Sequence, residues 1–333
     1  MVLDIYLTIF ICLISLIAII FFNNLVINFA YKHNFLIDSP EKKNHSIHTS
    51  DIPRSLGISY LFLLPISFFL NGNNYLPLIL VSSFFLIFGL FEDNNKSLKP
   101  LYRLIGQFVI IFLFLAFNNL FVLTNIQFLR FIDNYLIYIF ISSIFIVALI
   151  NSINFIDGLN GLCIFYILII TSYLCILKFD SLIFFFILLN LVLLKFNFPN
   201  ARAFIGDSGS YFLGCFIGLY LIYNFNKNDI SNSEWFIANL LAFPISDTTS
   251  SIIRRLLIKR SAFYPDNLHL HTLLKIFFNS NSKASFCLFV IVILLLIPTF
   301  FFKNHADFLM VYFFFQILIF ISSQKILQKI LFP

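Results

Sequence analysis

The sequence predicts an all-α, polytopic bundle of transmembrane helices, and three observations carry that prediction. The 333 residues are 60% hydrophobic and only 11% charged, with a mean hydropathy of +0.97; the surface of a soluble domain needs more charge. Apolar runs of about 20 residues, the length that crosses a bilayer, recur from end to end. These runs are continuous rather than alternating, which argues against a β-barrel. No stretch has the composition of a separate soluble domain, so one integral-membrane domain over 1–333 is expected.

In chain order, candidate helices cover 3–24, 56–71, 75–91, 102–118, 135–153, 161–177, 181–196, 209–225, 235–253, 284–302 and 307–325. That makes about eleven, with ten as the alternative count. The first run lacks a basic flank and a small-residue cleavage site, and reads as a retained helix rather than a signal peptide. With the N-terminus outside and loops alternating, 17 of the 21 Lys and Arg residues fall in cytoplasmic loops; Arg130, Lys178, Lys227 and Lys303 fall outside. That bias supports the odd count and a cytoplasmic C-terminus. It also accounts for the net charge of +6 without a nucleic-acid partner. The five cysteines lie in or beside apolar runs without CxxC spacing and read as packing residues.

Five polar segments interrupt this pattern, all on the inner side. The first loop carries Asp38 through His48, then Ile52-Pro-Arg-Ser-Leu-Gly57. It reads as a plain positive-inside loop, or as a cationic rim in which Lys43, His48 and Arg54 meet phosphates. Glu92 and Asp93 close the third run. Adjacent carboxylates there are costly unless lysines pair with them or a cation binds them. The third segment is Asn151-Ser-Ile-Asn-Phe-Ile-Asp-Gly-Leu-Asn-Gly-Leu162. In a helix, Asn151, Asn154, Asp157 and Asn160 would recur near one face, and Gly158 and Gly161 would admit a ligand.

The fourth segment runs from Asn197 to Ser210 and includes Arg202 and Asp207. Gly206, Ser210, Gly214 and Gly218 form a small-residue stripe, for which helix packing is the simpler role at Gly214 and Gly218. Packing does not explain Asp207, which suits a hard cation such as Mg²⁺. The fifth has Arg254 and Arg255, then a loop with His269 and His271. At i and i+2 these histidines would not share a helix face. A zinc site lacks ligands nearby in sequence, and Asp247 reads as an ion-pair partner of Arg254 and Arg255.

In this order and between these helices, the motifs IPR, the acidic pair, NFIDGLNGL, FIGDSGS and HLH resemble those of the polyprenyl-phosphate N-acetylhexosamine-1-phosphate transferases, glycosyltransferase family 4. The resemblance spans roughly residues 30–275. The last motif is closer to the O-antigen and enterobacterial-common-antigen type than to the peptidoglycan translocase branch. Thr272, Glu92 and Asn160 stand where that pattern usually has histidine, aspartate and aspartate.

The resemblance implies transfer of a sugar 1-phosphate from a UDP-N-acetylhexosamine to polyprenyl phosphate at the inner face of the cytoplasmic membrane. It implies a Mg²⁺ cofactor, with Mn²⁺ as the alternative ion, and allows a homodimer. It makes Asp207 the metal ligand with Asn154 a second candidate. Asn197, Asp157 and Asn160 would hold the nucleotide, His269 and His271 the diphosphate, and Glu92 and Asp93 the polyprenyl phosphate or its proton. A phosphate monoester has a second pKa near about 6, so a general base would add little at neutral pH. The readings set against this enzyme are a peptidoglycan phospho-N-acetylmuramoyl-pentapeptide translocase, a lipid-linked-sugar transporter and an inactive homologue.

Overall fold

The computed structural model describes the chain apart from residues 1, 40–50, 71, 95–97, 125, 127–130, 132–133, 228–232, 263–265, 267 and 333. Lys43 and His48 therefore lie outside the described residues. Among those residues the helices are α1 (Val2–His33), α2 (Leu63–Phe69), α3 (Leu76–Asp93), α4 (Pro100–Phe117), α5 (Tyr135–Ile156), α6 (Leu162–Leu177), α7 (Ser181–Asn197), α8 (Gly206–Asn226), α9 (Glu234–Leu240), α10 (Ala242–Leu257), α11 (Leu270–Phe278), α12 (Asn281–Phe301) and α13 (Ala306–Leu331). Two short strands, β1 (Ile37–Asp38) and β2 (Ile52–Pro53), pair antiparallel with Ile37 opposite Pro53. A 3-10 helix over Leu56–Phe62 leads into α2.

Each expected run is helical. Six helices (α1, α3, α4, α5, α12 and α13) are long and apolar enough to cross a membrane, and α9 with α10 makes a seventh if the pair is one broken span. The protein is an all-α, multi-pass membrane protein. Outward-facing apolar side chains such as Ile17, Phe21 and Leu318 are about two-thirds exposed, as lipid permits. The run 235–253 is not one straight helix: α9 and α10 meet at a 73° bend. Pro244 lacks the N–H that would bond the Leu240 carbonyl, and its ring crowds that position.

The chain forms two compact units, 1–97 with 163–216, and 98–162 with 217–333. In the first, α7 packs on α1 and α2. Asp180 starts α7 by accepting the N–H groups of Leu182 and Ile183, each at 3.0 Å. Phe198 ends it, because the residue before Pro199 disfavours helical geometry. Aromatic rings fill the centre: Tyr60 stacks on Phe212 with centroids 5.0 Å apart, and the Tyr60 hydroxyl donates to Asn190 Oδ1 at 2.9 Å.

In the second unit α4 packs on α5, and α13 on α9, α10 and α11. Buried amides tie these helices together. Asn151 Nδ2 donates to Gln107 Oε1 at 2.6 Å, and Gln316 Nε2 to Asn239 Oδ1 at 3.0 Å. Such bonds are worth about 1 kcal/mol each in lipid.

Candidate active-site residues

The first unit gathers an acidic cluster at the start of α8. Asp93, the last residue of α3, caps that helix. Its Oδ1 accepts the Asp207 N–H and its Oδ2 the Ser208 N–H, each at 2.9 Å. The arrangement satisfies two orphan amides and sets a negative charge at the positive end of the helix dipole. The β1–β2 pairing brings Arg54 and Asp38 together. Arg54 Nη2 lies 2.6 Å from Asp38 Oδ2, and its Nη1 3.5 Å from Asp93 Oδ1. Burial opposes the charge on Arg54, but Asp207, Asp38 and Asp93 outweigh it and raise the pKa, so the guanidinium stays protonated.

Main-chain contacts fix the cluster's position. Phe204 N–H donates to the Pro53 carbonyl at 2.8 Å, and Leu56 N–H to the Phe204 carbonyl at 3.0 Å. A Cβ on Gly89 would fall 2.5 Å from the Asp207 carbonyl carbon, and one on Gly57 2.7 Å from the Gly209 Cα. Gly206 has φ +70°, a conformation that disfavours side chains. These glycines let α3 and the 3-10 helix approach the start of α8 closely.

The candidates of this unit divide. Asp207 is half-buried, and among the described residues no side chain donates a hydrogen bond to its carboxylate. Hard cations favour such oxygen donors, so Asp207 fits a Mg²⁺ ligand. Asp93 holds α8 in place, a task the sequence reading did not assign to it. Arg54 is engaged with two aspartates of the same unit, beyond the rim role expected of it. Glu92 is buried at the end of α3. Asn197 ends α7 and donates through Nδ2 to the Ala203 carbonyl at 2.8 Å, bracing the loop before α8.

The second unit gathers the histidines, and here two expectations are corrected. Asp247 does not pair with Arg254 or Arg255. Its Oδ2 lies 2.7 Å from His269 Nδ1, and its Oδ1 accepts the Leu270 N–H at 3.0 Å. The two arginines instead engage Asp266, at 2.6 Å from Arg254 Nη2 and 3.3 Å from Arg255 Nε. The bend at Leu241 starts α10 afresh, and tertiary packing, not sequence separation, chooses the partners. The histidines also do not share one loop: His269 caps α11 and His271 is inside it. Their rings lie 5.4 Å apart and 20° from parallel, because His269 precedes the helix and escapes its rotation.

The two rings have different surroundings. His269 is hydrogen-bonded through Nδ1. His271 is buried and its Nδ1 has no hydrogen-bond partner among the described residues; burial first, and His269 nearby, push its pKa down to about 4 despite Asp247. The His271 ring sits where a side chain on Gly158 would be, with Cδ2 3.0 Å from the Cβ position. Asp247, His269 and His271 together hold three donor atoms within 4.8 Å of one another, a group that sequence spacing did not disclose. The Asp247–His269 hydrogen bond accounts for its closest contact.

The asparagine-rich segment departs from the expected helical stripe. α5 ends at Ile156, so Asn151 and Asn154 share the helix while Asp157 and Asn160 stand in the turn before α6. Gly158 and Gly161, the latter at φ +78°, break the helix there. Asn151 joins α4 to α5. Asn154, Asp157 and Asn160 are half-buried. Asn154 belongs to the second unit and Asp207 to the first. Sequence reasoning gave no role to Asp38, Ser251 or Asp266. An acidic residue inside the apolar 235–253 run was the available signal for Asp247.

The profile of Glycosyl transferase family 4 matches residues 75–224. The chain is 26% identical over 292 residues to a probable undecaprenyl-phosphate N-acetylglucosaminyl 1-phosphate transferase of Bacillus subtilis, covering 84% of this chain and 80% of that protein. It is 33% identical over 132 residues to an undecaprenyl-phosphate alpha-N-acetylglucosaminyl 1-phosphate transferase of Thermotoga maritima, spanning 40% of the latter. Over 151 residues it is 30% identical to a decaprenyl-phosphate N-acetylglucosaminephosphotransferase of Mycobacterium leprae, 38% of that protein. Over residues 75–224 the chain is thus similar to glycosyl transferase family 4, the family its ordered motifs resemble.

Proposed function

We propose that the protein transfers an N-acetylhexosamine 1-phosphate from a UDP-sugar to undecaprenyl or a similar polyprenyl phosphate. A phosphate oxygen of the lipid attacks the phosphorus that bears the sugar. The bond from that phosphorus to the UMP oxygen breaks, leaving polyprenyl-diphospho-sugar and UMP. The observation that carries this reading is Asp207: a half-buried carboxylate at the start of a helix, whose backbone N–H is held by Asp93 yet whose side chain has no hydrogen bond among the described residues. Phosphoryl transfer needs positioning and charge neutralisation more than covalent chemistry from the protein.

In this reading Asp207 holds Mg²⁺, which when bound would neutralise phosphate oxygens. Asp93 fixes the main chain that carries Asp207. Arg54 balances the carboxylates around it, and Glu92 orients the lipid phosphate. In the second unit His269 contacts the diphosphate, and Asn154, Asp157 and Asn160 hold the nucleotide. The chemistry takes place at the cytoplasmic face of the inner membrane and opens assembly of a cell-surface polysaccharide such as an O-antigen or capsule. N-acetylglucosamine is the first donor to try, since the relatives are named for it.

The test uses sealed inverted and right-side-out vesicles containing the protein and polyprenyl phosphate, with UDP-N-acetylhexosamines and Mg²⁺ added outside. UMP release from inverted vesicles alone is expected. No release with any donor would sink the reaction; release from right-side-out vesicles alone would overturn the orientation.

A further inference from the structure

The segment that carries His269 is fastened to α10 and α13 at Asp266, Leu268, His269 and Leu270. Asp266 Oδ2 accepts from Arg254 and Arg255, and its Oδ1 accepts the Leu268 N–H at 2.6 Å. The Leu268 carbonyl accepts from the Gln324 amide, whose oxygen in turn accepts the Ser250 hydroxyl at 2.8 Å. Leu270 N–H donates to Asp247 Oδ1. At the centre, Asp247 Oδ2 lies 2.7 Å from His269 Nδ1. His271, two residues on, has no such acidic hydrogen bond among the described residues; its ring packs on Gly158 instead.

The chemistry of the central pair is determined by its acceptor. An ionised carboxylate can only accept, so Nδ1 of His269 must carry the proton. Nε2 is then the ring's other face to its surroundings, an acceptor in the neutral ring and a donor once protonated. We propose that Asp247 is a positioning residue for His269. Its carboxylate fixes the ring plane and the Nδ1–H tautomer, and balances the charge of the ring when Nε2 carries a proton taken from solvent. Nε2–H then donates a charge-assisted hydrogen bond to a phosphate oxygen of the substrate. This rests on the reading that His269 contacts the diphosphate, and adds to it an acid that acts without touching substrate.

The other groups around the ring do not substitute for Asp247. Ser251 Oγ is 3.2 Å from Nδ1 and also accepts from Arg254 Nη2 at 3.1 Å. Arg254 and Asp266 pair with each other. His271 stacks beside the ring, and Phe155 lies 6.0 Å from it, centroid to centroid.

A double-mutant cycle on the full-length protein in vesicles tests the proposal. Asp247→Asn keeps the shape but cannot accept both N–H groups. It is expected to lower kcat about 10- to 100-fold, the usual cost of losing a histidine's orienting carboxylate. KM for polyprenyl phosphate is expected to stay within about twofold, as for an interaction made in the transition state. In a His269→Gln background the same change should cost less than about threefold, because the two residues act as one unit. An equal loss in both backgrounds overturns the proposal and makes Asp247 a general structural support. Failure of Asp247→Asn to accumulate as folded protein in either background has the same meaning. If His269→Gln alone leaves turnover intact while wild type releases UMP, the His269 reading fails and the transferase reading stands.

Discussion

In the first unit the start of α8 is positioned largely by main-chain contacts, and in the second the His269 ring is positioned largely by side chains. Asp93 grips two backbone amides of α8, and Gly57 and Gly89 meet that helix with nothing between the chains. Around His269 a carboxylate meets the ring, a guanidinium meets a carboxylate and a ring meets a ring, while Asp266 and Asp247 also hold the Leu268 and Leu270 N–H groups. Backbone contacts leave little room for adjustment, which suits a ligand for a cation that demands near-ideal geometry. Side-chain networks carry protons and can be tuned one group at a time, which suits a contact to a polyanion whose charge shifts during reaction. The glycines follow the same division: Gly89 clears backbone, whereas Gly158 clears an imidazole.

The largest effect that would break this comparison is expected at Asp207. Asp207→Asn should reduce UMP release by about 10³-fold or more, on the scale of losing an electrostatic contact to transferring phosphate. Mg²⁺ dependence should weaken with it. Activity above about one-tenth of wild type would remove Asp207 from the metal-holding role and leave the first unit's rigidity without a purpose.

An intermediate effect separates the two kinds of glycine. Gly89→Ala drives a methyl group into the Asp207 backbone, and should cost about 1–3 kcal/mol with a clear fall in the unfolding midpoint. Gly158→Ala meets a ring that can be displaced, so turnover should fall while the midpoint moves less. Equal drops in thermal scans of the two variants would erase the distinction between backbone and side-chain positioning.

The smallest expected effect is a pH dependence specific to the second unit. His271 has a folded-state pKa of about 4, below the value near 6.5 of an unfolded histidine. Between those values the unfolded chain binds a proton that the folded chain does not, so stability falls as pH drops from about 6.5 to about 4. Replacing His271 with Gln should flatten that part of the stability curve. An unchanged slope would show that the acid sensitivity arises elsewhere.

Much of the fold was legible because its signals are local. Apolar runs report helices whatever surrounds them, and the expected runs are helical, but among the described residues six of these helices, or seven with α9 and α10 as one span, are long and apolar enough to cross a membrane. The sites were legible in part for the same reason. Gly206, Asp207 and the glycines of the asparagine-rich segment are anomalies within a few residues of apolar flanks. Partnerships were not legible. Asp247 is seven residues from Arg254 but bonds to His269, 22 positions away. Asp93 faces amides that any sequence would supply, so nothing in the residue types of α8 announces the contact.

By itself the sequence determined that this is a helical membrane protein whose polar chemistry clusters in five short segments, because hydropathy and residue type act along the chain. Only the tertiary structure decided that Asp93 caps α8, that Asp247 orients His269, and that Gly158 makes room for His271. Those assignments depend on which groups meet after packing, where a buried charge or N–H must find a partner at any sequence distance.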